Sequence, residues 1–481
     1  MIPSTGTPAS AMPACAVSTT GGQALGARAT LAAGDLTRGA GGGDGPGRFW
    51  CEWAWVDGGV RPGVLVEAAD GLIVDVSTVD GAPAGAARLN GLVLPGMANA
   101  HSHAFHRALR GRTHDGGGTF WTWREAMYGL AERLTPEGYH RLARAVYAEM
   151  VLAGWTCVGE FHYLHHGRNG APYDDPNAMA DALREAAADA GIRLTLLDAC
   201  YLAGGIDRPV EGVQRRFSDG SAAGWARRVS RLRDGPGFLA GAAIHSVRAV
   251  PRGELPAVVE AAAGRPLHVH LSEQPAENEA CVAAYGVTPT RLLHDAGALG
   301  RQTTAVHATH LTSEDLDLLG GAGVTACPCP TTEADLADGI GPMRALADAG
   351  CGVALGSDQH AMIDPFAEVR GLEAGERLTS LRRGRFGPAE LVAALTTGGN
   401  TALGWSGAGR IAAGAPCELV AVRLDSPRTA GCDPAQAVLA ASAADVHTVI
   451  VAGRPVVTDG AHRTVDVGAE LAAAIREVWA S

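Results

Sequence analysis

The sequence predicts a (β/α)8 barrel of the TIM type with a small β-sandwich domain formed by the segments that flank it. Between residues 92 and 360, eight short apolar runs alternate with longer Ala/Leu/Arg/Glu-rich helical stretches, the rhythm of strand and helix around one parallel barrel. Polar residues then gather just after those runs, at His101/His103, His162/Tyr163, His245/Arg248, His270/Glu273, His307/His310, Thr331/Thr332 and Asp358/His360. In such barrels the C-terminal strand ends carry the chemistry. A random scatter of 17 histidines would not favour strand ends this strongly.

Residues 1–47 are rich in Ala, Gly and Thr without periodicity, and read as a disordered tail or a misassigned start. Residues 48–95 alternate short apolar runs with Gly and Asp turns (Trp50–Val56, Gly63–Val66, Gly71–Val76, Leu92–Leu94) and read as the first part of the small β-domain. The barrel is expected over 96–404. Its strands are read at Leu92–Leu94, just before the break at Pro95-Gly96, and at Cys157–His162, Leu194–Cys200, Gly241–His245, Leu267–Leu271, Thr304–Val306, Val324–Cys327 and Gly352–Leu355. Helices are plain at Ala178–Ala190, Leu255–Ala263 and Pro388–Leu403. Residues 405–481 return to short strands (Cys417–Val422, Thr448–Val451, Pro455–Val457) with turns at Gly453 and Gly460, then a C-terminal helix. The first and last segments are expected to pair into one domain.

Composition narrows the function. Net charge is −12, so no global basic field attracts nucleic acid or an anionic membrane. No apolar run is long enough to span a bilayer, and no basic residue precedes Arg28 to open a signal peptide, which argues for the cytoplasm. The 10 cysteines are scattered, several in apolar runs, as small buried hydrophobes in a reducing compartment are. The chain contains no lysine. That excludes a lysine Schiff base, a lysine general base and a carbamylated lysine bridging two metals.

His101 and His103, two apart, share one face of an extended chain and make half of a divalent metal cage. His270 and Asp358, each at a strand end, complete an N/O set suited to zinc or ferrous iron. His268 lies on the face of His270 one layer deeper and reads as a packed barrel histidine, with ligation as the alternative. Glu273, three residues past His270, faces a metal only if the chain has already left the strand; there it could take a proton from an activated water. His307 could hydrogen-bond the reacting centre, with His310 as its rival. Arg124 and Arg248 suit bidentate carboxylate recognition, though either alone reads as a surface ion pair. Cys327 and Cys329 read as small buried barrel residues.

With these residues in place the chain resembles the amidohydrolase superfamily: His-x-His after the first strand, a His after the fifth, another after the sixth and an Asp after the eighth. Without lysine it is similar to the mononuclear, deaminase-like members. Within them it resembles the formimidoylglutamate deiminases in His101-Ser-His-Ala-Phe-His-Arg107, Phe120-Trp-Thr-Trp-Arg-Glu125, Gly159-Glu-Phe-His-Tyr-Leu-His-His166, His245-Ser-Val-Arg248, His268-Val-His-Leu-Ser-Glu-Gln274, Val306-His-Ala-Thr-His310 and Cys329-Pro-Thr-Thr-Glu333. The resemblance implies one zinc per subunit on His101, His103, His270 and Asp358, with ferrous iron as the alternative, and Glu273 as proton acceptor. It implies that Arg124, Tyr163, His245, Arg248 and His307 contact substrate. His106 stands where these relatives commonly carry Gln. The implied reaction is hydrolysis of N-formimidoyl-L-glutamate, a small dianionic amidine of histidine breakdown, to N-formyl-L-glutamate and ammonia by a cytoplasmic homodimer. A nucleobase or nucleoside deaminase of the same superfamily is the first alternative. A non-catalytic barrel scaffold is the second.

Overall fold

The computed structural model describes residues 47–114 and 120–480. The expected tail lies outside them, except for Gly47, which opens the first strand. Strands β1 (Gly47–Val56), β2 (Gly59–Ala69), β3 (Leu72–Thr78) and β4 (Ala87–Pro95) precede the barrel. Barrel strands β5 (Met97–Ser102), β6 (Trp155–His162), β7 (Arg193–Cys200), β8 (Phe238–Ile244), β9 (Leu267–Leu271), β10 (Thr303–His307), β11 (Thr325–Cys327) and β12 (Gly352–Val353) follow. Strands β13 (Leu419–Val422), β14 (Val446–Val451), β15 (Arg454–Thr458) and β16 (Ala461–His462) and the helix Val467–Ala480 end the chain.

Strands β5 to β12 form a parallel sheet in sequence order. The sheet closes where Ala100 N donates to Leu355 O (2.8 Å), Asp358 N to His101 O (3.0 Å) and His103 N to Asp358 O (3.1 Å). The alternation of strand and helix thus builds the barrel expected of it. The helix Ala178–Ala190 has the expected bounds, and the one expected over Pro388–Leu403 continues through a wider π turn at Ala394–Gly398.

One strand differs from expectation. Leu92–Leu94 belongs to β4 of the flanking sheet, paired with β1 and β13, and the barrel's first strand is Met97–Ser102. Pro95-Gly96 is therefore the crossover between two sheets, not a loop after a barrel strand. Gly96 is required there, because a Cβ would sit 2.4 Å from Thr156 Oγ1 and 2.6 Å from Glu418 Oε2.

The two flanking segments pair as expected. Their strands run β16-β15-β14-β13-β4-β1-β2-β3 in one mixed sheet. The sheet folds back until β3 reaches the chain before β13, where Ile73 N donates to Ala415 O and Cys417 N to Gly71 O, each 2.8 Å. Between the layers lies a separate apolar core that includes Phe49, Cys51, Val66, Ile73, Val93, Leu419 and Ile450. The nine described cysteines form no disulfide. Among the described residues no helix is long and apolar enough to cross a membrane.

A buried ion pair fastens this domain to the base of the barrel. Arg193, first residue of β7, donates to both carboxylate oxygens of Glu418 (2.5 and 2.6 Å), just before β13, and to Asn400 Oδ1 (2.8 Å). Thr156 Oγ1 donates to the same carboxylate, and Trp405 lies 4.6 Å under the guanidinium. Removing one partner of a buried pair leaves an uncompensated charge, which costs about 3–5 kcal/mol. Glu418→Gln should therefore lower unfolding stability by about that amount in chemical denaturation, whereas Arg193→Met with Glu418→Leu should recover most of it.

Candidate metal centre

His101 is the penultimate residue of β5, His103 follows the strand in extended conformation, His270 lies on β9 and Asp358 sits just past β12. All four side chains are buried. His101 Nε2 is 3.1 Å from His270 Nε2 and 3.3 Å from Asp358 Oδ1, and His103 Nε2 is 3.4 Å from Asp358 Oδ1. The second ring nitrogens explain why these atoms face one another. His103 Nδ1 donates to Phe161 O and His270 Nδ1 to His245 O, each at 2.8 Å. Those bonds fix the tautomer of the two rings and leave their Nε2 lone pairs free, that of His103 beside Asp358 Oδ1 and that of His270 beside His101 Nε2.

Such a cluster fits a cation. The donors of a tetrahedral site with metal–ligand bonds near 2.0–2.1 Å stand about 3.3 Å apart, and the pairs His101–His270, His101–Asp358 and His103–Asp358 lie at 3.1, 3.3 and 3.4 Å, with His101, His103 and His270 forming one three-donor group. The protonation states agree. Burial pulls His101 down to about 3, and also lowers His103 and His270, so the imidazoles are neutral. Burial would raise Asp358, but its bond with His101 and the nearby His307 and His103 hold it well below the usual carboxylate range.

The backbone aims these groups by left-handed turns at strand ends. Ser272 (φ 51°), His307 (φ 66°), Ala308 (φ 51°), Asp358 (φ 42°) and His360 (φ 62°) all take a conformation that favours glycine. Ser272 supplies what Glu273 required: the chain leaves β9 at once, and Glu273 turns into the barrel mouth. There its Oε1 is 3.8 Å from His307 Nε2 and its Oε2 is 3.6 Å from Arg248 Nη2. Burial raises Glu273, against the pull of His307 and Arg248. His307 goes the other way. Burial would lower it, but Glu273, Glu333 and Asp358 hold it well above its ordinary value, with Glu333 Oε1 3.3 Å from Nδ1.

A cavity of about 300 Å³ opens over the cluster. His106, Arg124, Tyr163, His245 and Arg248 all line it with Glu273, His307 and Asp358. His106 Nε2 and Tyr163 OH are hydrogen-bonded at 2.8 Å. Arg124 lies over the Tyr128 ring at 5.5 Å, and Arg248 pairs with Glu277 at 2.9 Å. The rivals separate cleanly. His310 turns away and donates to Asp338 O, and His268 donates to Ala402 O deeper in the barrel. Cys327 and Cys329 pack with Ala100, Val306, Ala354 and Ala402.

Sequence reasoning missed the support behind the ligand strand. Ser102 faces outward between the two histidines and donates to Glu160 Oε2 (2.7 Å), while Ala104 N donates to Glu160 Oε1 (2.7 Å). Burial pushes Glu160 up to about 8. His360 links Ser102 to Ser357, and Asn99 holds Ser357 through both its amide atoms. The available signal was an acid inside the apolar strand of Gly159-Glu-Phe-His162, which demands buried partners. The aromatic wall of Trp123, Tyr128, Tyr201 and Phe217 was also missed.

A family profile described as "Amidohydrolase family" matches residues 92–456. The formimidoylglutamate deiminase of Pseudomonas aeruginosa is 37% identical over 417 residues, 82% of this chain and 91% of that protein. The 8-oxoguanine deaminase of the same organism is 30% identical over 395 residues, 79% and 85% of the two chains. The crystal structure of an amidohydrolase from Brucella melitensis superposes with a TM-score of 0.83 at 32% identity, over 90% of this chain and 100% of that one.

If the four donors hold a metal, binding it stabilises the fold by mass action. Stripping divalent ions with a chelator should lower the thermal midpoint, and adding zinc back should restore it. His270→Ala should show neither shift; a variant that responds like the wild type would rule out His270 as a ligand.

Proposed function

The chain belongs to the amidohydrolase family and is a hydrolase of its deaminase kind; on that premise we propose that it hydrolyses N-formimidoyl-L-glutamate to N-formyl-L-glutamate and ammonia. The observation that carries this reading is the joint presence of Arg124 and Arg248 in the cavity above the His/Asp cluster. Two fixed guanidinium groups beside one metal-sized cluster suit a small substrate with two carboxylates and one hydrolysable amidine. The 37% identity to the Pseudomonas aeruginosa enzyme supports the same choice.

His101, His103, His270 and Asp358 would hold one zinc ion per subunit. A divalent ion there supplies Lewis acidity, enough to bring the ionisation of water to about pH 7. Glu273 takes the proton from the attacking water and delivers it to the imino nitrogen, then carries the hydroxyl proton of the tetrahedral centre to the same nitrogen, so that the carbonyl forms and the carbon–nitrogen bond breaks with ammonia as the neutral leaving group. His307, held protonated among Glu273, Glu333 and Asp358, donates a hydrogen bond toward the developing tetrahedral centre. His245 and Tyr163, which is hydrogen-bonded to His106, line the same cavity as the two arginines, where they would contact the substrate. We place the reaction in the cytoplasm, where unpaired cysteines persist.

One observation favours a second reading. Trp123, Tyr128, Tyr201 and Phe217 present ring surface to the cavity, which would also stack a nucleobase.

Ammonia release from N-formimidoyl-L-glutamate, assayed beside guanine, cytosine and adenosine, separates the two. Turnover of a base and not of the amidine would overturn the first reading. Glu273→Gln should keep its metal and lose about 10²–10⁴ in rate, the usual share of general acid–base catalysis. The activity should also be bell-shaped in pH. It rises as Glu273 loses a proton from its raised position and falls as His307 loses the proton its carboxylate neighbours retain. A flat profile in the wild type would contradict both assignments.

A further inference from the structure

We propose that Arg216 is a positioning residue that sets the substrate-recognition wall without touching substrate or metal. The inference rests on the dianionic-amidine reading for its kinetic test, but not for its structural one. Arg216 ends the 3-10 turn Gly212–Arg216 in the connection between β7 and β8, and its side chain is 1% exposed. Among the described residues it makes no ion pair. Its guanidinium instead serves three backbone carbonyls. Nε donates to His166 O (2.9 Å), Nη2 to Leu134 O (2.7 Å) and Nη1 to Ala131 O. The chain answers in kind, with His165 N (3.0 Å) and His166 N (2.9 Å) donating to Arg216 O.

The positions of those carbonyls give the arrangement its meaning. Ala131 is the last residue of the helix Phe120–Ala131, whose final carbonyls have no partner within the helix and carry its negative dipole end. A cation placed there satisfies Ala131 O, with Tyr173 and Glu132 close enough to favour its charge. That helix carries Trp123, Arg124, Met127 and Tyr128 into the cavity wall. His165 and His166 follow Tyr163 in the connection after β6, and Arg216 precedes Phe217. One buried guanidinium therefore ties together three connections that each supply side chains to the recognition wall. Gln214, on the same turn, adds a fourth tie by donating to Tyr128 OH at 3.0 Å. Phe217 then packs against Tyr163 (5.1 Å) and Tyr201 (5.4 Å).

None of these ties reaches the four metal-cluster residues, which stand on β5, β9 and the chain after β12. Arg216 thus governs where Arg124 stands, not how the reacting bond is cleaved. Lysine cannot replace it, because one ammonium does not span three divergent carbonyls as a planar fork does.

The test uses the metal-loaded full chain carrying Arg216→Gln. With N-formimidoyl-L-glutamate, KM should rise about tenfold while kcat stays within about twofold and bound metal is unchanged. In an Arg124→Ala background the same substitution should raise KM clearly less than it does alone, because much of its effect runs through Arg124. Full additivity would overturn the proposal, as would a fall in kcat with KM unchanged. Hydrogen exchange in Phe120–Ala131, measured without substrate, should quicken in Arg216→Gln; unchanged exchange overturns the proposal whatever the substrate is. Gln214→Leu is the milder variant and keeps the test decisive if Arg216→Gln does not fold: it should raise KM and quicken the same helix, and wild-type values in both would refute the bracket. Failure of the wild type to turn over the amidine counts against the proposed function instead.

Discussion

Three imidazoles and a carboxylate are forced together at one end of the barrel, and much of the surrounding structure exists to keep them there. Ring nitrogens and a carboxylate oxygen that face one another at 3.1–3.4 Å in a buried site repel wherever no proton lies between them. The chain opposes that repulsion from behind. Phe161 O and His245 O fix two rings from their far nitrogens, Glu160 holds the backbone beside His103, and left-handed turns at Ser272, His307 and Asp358 spend conformational energy to aim side chains. Such strain persists only where the surroundings over-determine it, and a cation held in the centre would relieve it.

The same residues close the barrel. β12 is only two residues long, and the ring is completed beyond it by hydrogen bonds that run between the backbones of His101 or His103 and Asp358. The metal cluster and the seam of the fold are therefore one object. A cation that draws Asp358 toward His101 and His103 also tightens the weakest strand pairing of the sheet. Local chemistry and global topology support each other there, which is the consistency expected of a sequence that specifies one structure.

The parts of this arrangement that sequence displays are those with a strict local period. His101 and His103 were readable because extended chain repeats every two residues, and Asp358 because it follows an apolar run at a strand end. The apolar run Leu92–Leu94 reads as the barrel's first strand instead, since Met97-Ala-Asn-Ala-His-Ser102 has little apolar content to betray it. Its burial comes from tight packing of small residues: a Cβ on Gly399 would lie 2.6 Å from Ala98 O. The partners of Glu160 and Arg216 are hidden for a related reason. Each is a charged residue whose partners lie in other connections, and no local pattern reveals a carbonyl or serine that only the fold brings near.

Arginine does all of the fixed cationic work in this lysine-free chain, and the cavity shows what that entails. Arg248 stands 2.9 Å from Glu277 and 3.6 Å from Glu273, with burial opposed by both acids. Its planar fork offers five donors, so it can hold Glu277 and still present donors toward the cavity. Glu277 in turn accepts from Ser272 N, the residue whose left-handed turn delivers Glu273. On the proposed function, recognition and proton transfer would share one scaffold: the guanidinium that would meet an incoming carboxylate is braced by the same glutamate that braces the turn beneath Glu273. A carboxylate arriving at Arg248 competes with Glu273 for the same positive charge. Weakening that attraction raises the affinity of Glu273 for a proton, the direction its role requires.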